Sequence, residues 1–181
     1  MITFLIVIAV LALLFAGIYN SLIRSRNRVK ESWSDINVQL RRRHDLIPNL
    51  VETVKGYAAH EQRVLEEVIK ARTEAVTAGG MAEKAQAENQ LTDALKHLFA
   101  LSEAYPNLRA SENFAKLQDE LSDTENKIQA ARRFYNSNVM HYNTTLEQFP
   151  TNFISSMFDF TREEYFQLEN PEQANLPKVS F

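Results

Sequence analysis

The sequence predicts an all-α fold: a single N-terminal transmembrane helix continuing into a long-helix antiparallel bundle, then a short helix and an extended aromatic C-terminal tail. Three observations carry the prediction. Residues 1–19 (MITFLIVIAVLALLFAGIY) contain no charged side chain. Apolar residues beyond them recur at steps of three and four, which keeps them on one face of a helix. Glycine and proline are scarce, at 4 and 5 in 181 residues, while Glu, Lys, Gln, Ala and Leu are common, a composition that favours helix. The chain divides into an anchor (1–19), a bundle (20–149) and an aromatic segment (150–181) docked on the bundle or on a neighbouring subunit.

The opening stretch has the length of a membrane span. About 20 helical residues cover roughly 30 Å, the thickness of a bilayer's hydrocarbon core. A helix also satisfies its own backbone hydrogen bonds, which lipid cannot do. A cleaved signal peptide is the competing reading, but it needs a basic flank before the apolar run and a small-residue cleavage site. No Lys or Arg precedes this run, and Ala16-Gly17 is a poor cleavage context. Arg24, Arg26, Arg28 and Lys30 follow the span directly. The positive-inside tendency therefore predicts a single pass with the N-terminus outside and the bulk of the chain in the cytoplasm. These four cations are candidates for lipid-headgroup contact, worth about 1 kcal/mol each near an anionic surface. Tyr19 stands where an interfacial aromatic is expected.

After the anchor, Val29, Trp33, Ile36, Leu40, Ile47, Leu50, Val54 and Tyr57 form a stripe with one seven-residue step, occupied by Arg43. The spacing predicts a long helix bent near Pro48, which lacks an amide hydrogen, resuming through Leu65, Val68 and Ala75 and ending at Gly79-Gly80. A second helix is predicted from about Ala82 to Ala104, with Leu91, Leu95, Leu98 and Leu101 on one side and a break at Pro106-Asn107. Ser111 is a suitable N-cap for a third, which carries Phe114, Leu117, Leu121, Thr124, Ile128, Ala131 and Tyr135 and runs to about Glu147. Phe149-Pro150 stops it. Six of the eleven phenylalanines fall from Phe149 onward. A disordered tail should be poor in aromatics, so a short helix near Asn152 to Met157 and a docked extension ending Lys178-Val179-Ser180-Phe181 are expected. Docking in cis and in trans both remain open.

Charge and chemistry narrow the function. The net charge is −3, giving no global field for nucleic acid. Asn20 to Arg63 holds nine Lys/Arg and five Asp/Glu, and the later chain eleven and eighteen. That split fits neutralisation inside one bundle or a dipolar subunit packing against its own copies. With no cysteine there is no disulfide, thiolate metal site or cysteine nucleophile. The residues three before His44, His60, His97 and His141 are Arg41, Tyr57, Ala94 and Asn138, so the Glu-x-x-His pairs of a bundle metal site are missing. Neither a phosphate loop nor a serine elbow is present. Trp33 lies on the apolar stripe and reads as core.

Arg41-Arg42-Arg43-His44-Asp45 is the sharpest cluster. On a straight helix Arg42 stands about 35 Å beyond Tyr19, several Debye lengths of about 8 Å from the home bilayer. The arginines are therefore read either as solvated charge, with Arg43 paired to a carboxylate of another helix, or as an interface, since Arg forks suit carboxylate-bearing partners. Arg41, Arg42, Arg43, Phe153, Phe158, Phe160 and Phe181 are the candidate subunit- or partner-interface residues.

These residues resemble the LemA family. The resemblance runs over Tyr19-Asn20, Arg26-Asn27-Arg28-Val29, Ser32-Trp33 and, most specifically, Val38-Gln39-Leu40-Arg41-Arg42-Arg43-His44-Asp45-Leu46-Ile47-Pro48-Asn49-Leu50-Val51. It continues at Val54-Lys55-Gly56-Tyr57 and His60-Glu61, then at Tyr105-Pro106-Asn107-Leu108, Phe114, Leu117, Glu125-Asn126, Ile128, Ala131-Arg132, Tyr135-Asn136, Asn143 and Phe149-Pro150. It implies a bacterial inner-membrane protein with an N-terminal anchor and a cytosolic helical bundle, and it brings no catalytic residues. Some members carry a lipidated cysteine at the anchor, which this chain cannot. The expectation is a non-enzymatic scaffold that self-associates at the membrane, with an adaptor for a membrane protease or signalling partner as the alternative. Its expected partners are the lipid bilayer, further copies of itself and other membrane proteins, with no cofactor, nucleic acid or small-molecule substrate.

Overall fold

The computed structural model describes residues 1–167. Six helices occur among them: α1 (Ile2–Lys55), α2 (Gln62–Thr77), α3 (Met81–Ser102), α4 (Pro106–Arg109), α5 (Glu112–Glu147) and α6 (Thr151–Met157). The expected docked extension through Lys178 to Phe181 lies outside the described residues. The chain forms two compact units, one from Met1–Val38 with Ile128–Tyr165, the other from Gln39–Lys127 with Phe166.

In the first unit, Leu22, Val29 and Ile36 of α1 are buried at intervals of seven, as are Ile128, Tyr135 and Tyr142 of α5. That interval returns each side chain to the same side of its helix. Trp33, half-buried, packs on the buried Tyr135 with ring centroids 5.5 Å apart, at the edge of the core rather than inside it. Ser32 is buried within α1 and satisfies itself by donating to the Val29 carbonyl at 2.8 Å. Helix α5 ends at Glu147 before Phe149-Pro150, and α6 follows at once. Asp159 then takes a left-handed backbone, φ 53°, a conformation that short polar side chains tolerate. The chain beyond it is held on α5: the Tyr135 hydroxyl donates to the Glu164 carbonyl at 2.9 Å, and Asn143 brackets Glu163 by donating to its carbonyl and accepting from its amide at 2.9 and 3.0 Å.

The second unit is a helical cluster around Ile47, Leu50, Val54, Val68, Leu91, Leu98, Leu108 and Phe114. Ala71 and Ala75 of α2 and Ala87 and Ala94 of α3 are buried, and such small side chains let two backbones approach. A short connection through Gly79-Gly80 makes α2 and α3 antiparallel neighbours. Both glycine amides point at the Glu83 carboxylate, at 3.0 and 3.5 Å. Ser111 accepts from the Phe114 amide at 3.5 Å, as an N-cap should.

One boundary differs from expectation. Helix α1 runs unbroken through Pro48 and ends at Lys55, so the reversal falls at Gly56 to Glu61. Proline 48 leaves the His44 carbonyl without its helical donor, but Arg72 Nε donates to that oxygen at 2.8 Å. The external donor lets the helix continue. Tyr57, expected on the apolar stripe, lies past the helix end and is half exposed, and Ala58 is buried instead.

Candidate functional site

Arg43 fills the gap in the α1 stripe and turns inward, with a side chain only 3% exposed. A guanidinium at that depth requires anionic partners. Arg43 Nη2 pairs with the Glu88 carboxylate of α3, which is fully buried. Its Nη1 donates to Glu125 Oε2 of α5 at 2.7 Å and to Thr92 Oγ1 at 3.2 Å. The other Glu88 oxygen lies 2.8 Å from His44 Nε2. Burial pushes the Glu88 carboxyl up. The His44 hydrogen bond and the Arg43 charge outweigh it, so the group is held below its ordinary range. One residue pair of α1 thus ties α3 and α5 together.

Beside this network, a groove of about 320 Å³ opens between α3 and α5, with Leu95, Phe99 and Leu121 as its apolar floor and Arg43, Lys96 and Glu125 among its polar walls. Among the described residues, no group of three His, Asp or Glu side chains converges as a metal site would require.

The three arginines therefore divide. Arg41 and Arg42 are exposed, and Arg42 adds its charge to the Lys127 hydrogen bond that holds the Asp123 carboxyl below its usual range. Arg43, a candidate interface residue, takes the other reading that its position offered, paired to carboxylates of other helices. It is occupied inside its own unit because it interrupts an apolar stripe and finds two carboxylates there. Sequence reading missed Glu88, although a signal existed: it stands three residues before Leu91 and seven before Leu95, in line with the apolar side of α3.

In the first unit, Arg24, Arg28 and Lys30 are exposed, whereas Arg26 is half-buried. The Arg26 guanidinium lies 5.1 Å from the centre of the Phe160 ring, within cation–π range. Phe158 packs on Tyr19 and Phe15 at 4.9 and 5.9 Å, and Phe160 meets Tyr19 at 5.9 Å. Phe153 faces outward beside Phe149, ring to ring at 6.0 Å. Phe181 lies outside the described residues. Residues 1–17 of α1 are exposed throughout. This stretch is long and apolar enough to cross a membrane, with a mean hydropathy of 2.8 over its most apolar window.

Three relatives are similar to this chain in sequence. The chain is 26% identical to magnetosome protein MamQ 2 of Paramagnetospirillum magneticum over 175 aligned residues, covering 82% of this chain and 64% of the relative. It is 25% identical to magnetosome protein MamQ of Magnetospirillum gryphiswaldense over 174, with the same coverage. This chain thus spans under two-thirds of those relatives' length. With protein LemA of Metamycoplasma hominis it shares 24% over 177, covering 96% of this chain and 80% of that protein. The LemA family matches residues 32–181, a span that takes in the Arg43 network, the α5 seam and α6; the chain belongs to the LemA family.

Proposed function

We propose that the protein is a non-enzymatic scaffold anchored in the bacterial inner membrane by residues 1–19, with its helical units on the cytoplasmic side, and that it self-associates there. The carrying observation is the contrast along one helix. Met1 to Gly17 are exposed, yet Leu22, Val29 and Ile36 of the same α1 are buried. An exposed apolar helix that long is costly in water and favourable in lipid. The cations Arg24, Arg28 and Lys30 stand at its end, where the positive-inside tendency and headgroup contact both favour them. Self-association is supported by apolar side chains left outward on α5 in the first unit, Phe134 and Met140 being more than half exposed. The outward Arg41 and Arg42 of the second unit suit an acidic face of a neighbouring copy.

Sizing of the full chain in lipid nanodiscs tests this reading. Several copies per particle are expected, falling toward one in R41E/R42E. A strict monomer in the wild type, unchanged when residues 153–181 are deleted, refutes self-assembly. If R41E/R42E keeps the oligomer but loses a co-purifying membrane protein, those arginines serve an adaptor.

A further inference from the structure

Helix α5 runs back along α1 in a fixed register within the first unit. Trp33 stacks on Tyr135. Seven residues earlier on α1, the Arg26 guanidinium lies 5.1 Å from the centre of the Phe160 ring, in the chain that returns after α5. Another seven earlier is Tyr19, where the apolar stretch ends, and Phe160 meets its ring at 5.9 Å. Ring contacts support that level, because Phe158 lies against both Tyr19 and Phe15. The C-terminal flank of α6 therefore sits at the level of residues 15–19.

The segment at that depth has an unusual surface. Residues 149–158, FPTNFISSMF, carry no charge. Ile154 and Ser155 turn inward, and Ser155 Oγ donates to the Leu146 carbonyl at 3.2 Å. Phe149, Phe153 and Met157, spaced by four, are 80, 65 and 68% exposed, and Phe158 is 45% exposed. Such outward apolar side chains on and beside a short helix have a strong drive to leave water. Charged residues resume immediately outside the segment, at Glu147 and at Asp159 and Arg162. Glu147 and Arg162 pair with each other and close its base.

We propose that α6 is a second lipid contact: it lies in the interfacial layer of the bilayer that holds residues 1–19, with Phe149, Phe153, Met157 and Phe158 among the upper acyl chains. The occupant follows from continuity, because this face joins the apolar stretch at Phe15 and Tyr19 and carries no charge to meet a protein partner. An apolar helix face of this kind settles about 5–10 Å into the headgroup–acyl boundary. The inference rests on the anchor reading above. It adds that the chain touches its membrane at two points, which would restrict the tilt of α1.

The chain has no cysteine, so single introduced cysteines report unambiguously. Full-length protein carrying Phe153→Cys, Met157→Cys, Ser137→Cys or Leu11→Cys is spin-labelled and reconstituted in phosphatidylethanolamine–phosphatidylglycerol vesicles. All four positions are exposed, so each variant should fold. Electron paramagnetic resonance then measures collision with oxygen, which enters lipid, and with an aqueous nickel complex. Labels at 153 and 157 are expected at interfacial depth, with 11 deeper and 137 in water. Labels at 153 and 157 as open to nickel as 137, with 11 immersed, overturn the α6 contact and leave the anchor standing. A label at 11 in water removes the anchor and this inference with it. Shielding of 153 and 157 from both reagents, with spin–spin broadening that fades on mixing with unlabelled protein, assigns the face to a second copy and also overturns the proposal.

Discussion

Replacing Glu88 by Gln removes one charge and little volume, and so isolates the electrostatic role of the buried network. Glu88 is fully buried and receives both Arg43 and His44. After the exchange Arg43 retains only Glu125 as an anion, and that carboxylate is one-third exposed. Uncompensated charge at such depth costs about 3–5 kcal/mol. The residual Glu125 pairing argues for the lower end, still a large share of the roughly 5–15 kcal/mol that holds a domain folded. Urea unfolding of the full chain in detergent, followed by circular dichroism, measures the loss. The pH dependence supplies a second criterion. The fold holds the Glu88 carboxyl below its ordinary value of 4.5, so its contribution is complete above pH 4.5 and disappears as pH falls through the folded value. The gap between wild type and E88Q should therefore be widest near neutrality and close in acid. Replacing the pair together, R43M with E88L, should recover most of the loss, because apolar residues of similar volume need no partner. An E88Q variant within about 1 kcal/mol of wild type at pH 7, or a gap that widens in acid, refutes the reasoning.

Arg72→Met removes the donor to the His44 carbonyl that Pro48 leaves unpaired and should cost about 1–3 kcal/mol; adding Pro48→Ala restores an amide donor, so the double variant should unfold at higher urea than Arg72→Met alone. Equal midpoints for the two would show that the carbonyl was satisfied otherwise. Burial, and then the charges of Glu163 and Glu164, push the Tyr135 phenol up to about 12. Stability linked to it is present below pH 10 and is lost as pH rises toward 12, on the order of 2 kcal/mol. Tyr135→Phe should flatten that alkaline decline in melting experiments, and an unchanged alkaline slope would count against the assignment.

The fold was legible in the sequence wherever periodicity could speak. The apolar helical start of α1, the Ser111 cap, the α5 end before Phe149-Pro150 and the short helix after it all follow from local spacing, capping and breakers. What could not be read was the effect of distant groups on local rules. Pro48 leaves a carbonyl of its own helix unpaired, yet α1 continues to Lys55, and the donor that satisfies that oxygen, Arg72, stands 24 positions away in sequence and on a different helix. Arg43 sat between two readings for the same reason: whether it faces outward depends on Glu88 and Glu125, residues 45 and 82 positions away. The composition of the RRRHD cluster says only that charge is present, whereas helical phase says which charge is inside. Arg43 holds the place of an apolar residue in the stripe, so it follows that stripe into the core, while Arg41 and Arg42 keep the outward phase. A buried cation of this kind adds little net stability compared with an apolar residue. What it adds is selectivity, because only an arrangement that brings carboxylates of α3 and α5 to the same point can hold it. The Arg43–Glu88–His44 contacts thus fix which helices meet around this part of α1, while Arg41 and Arg42 stay exposed.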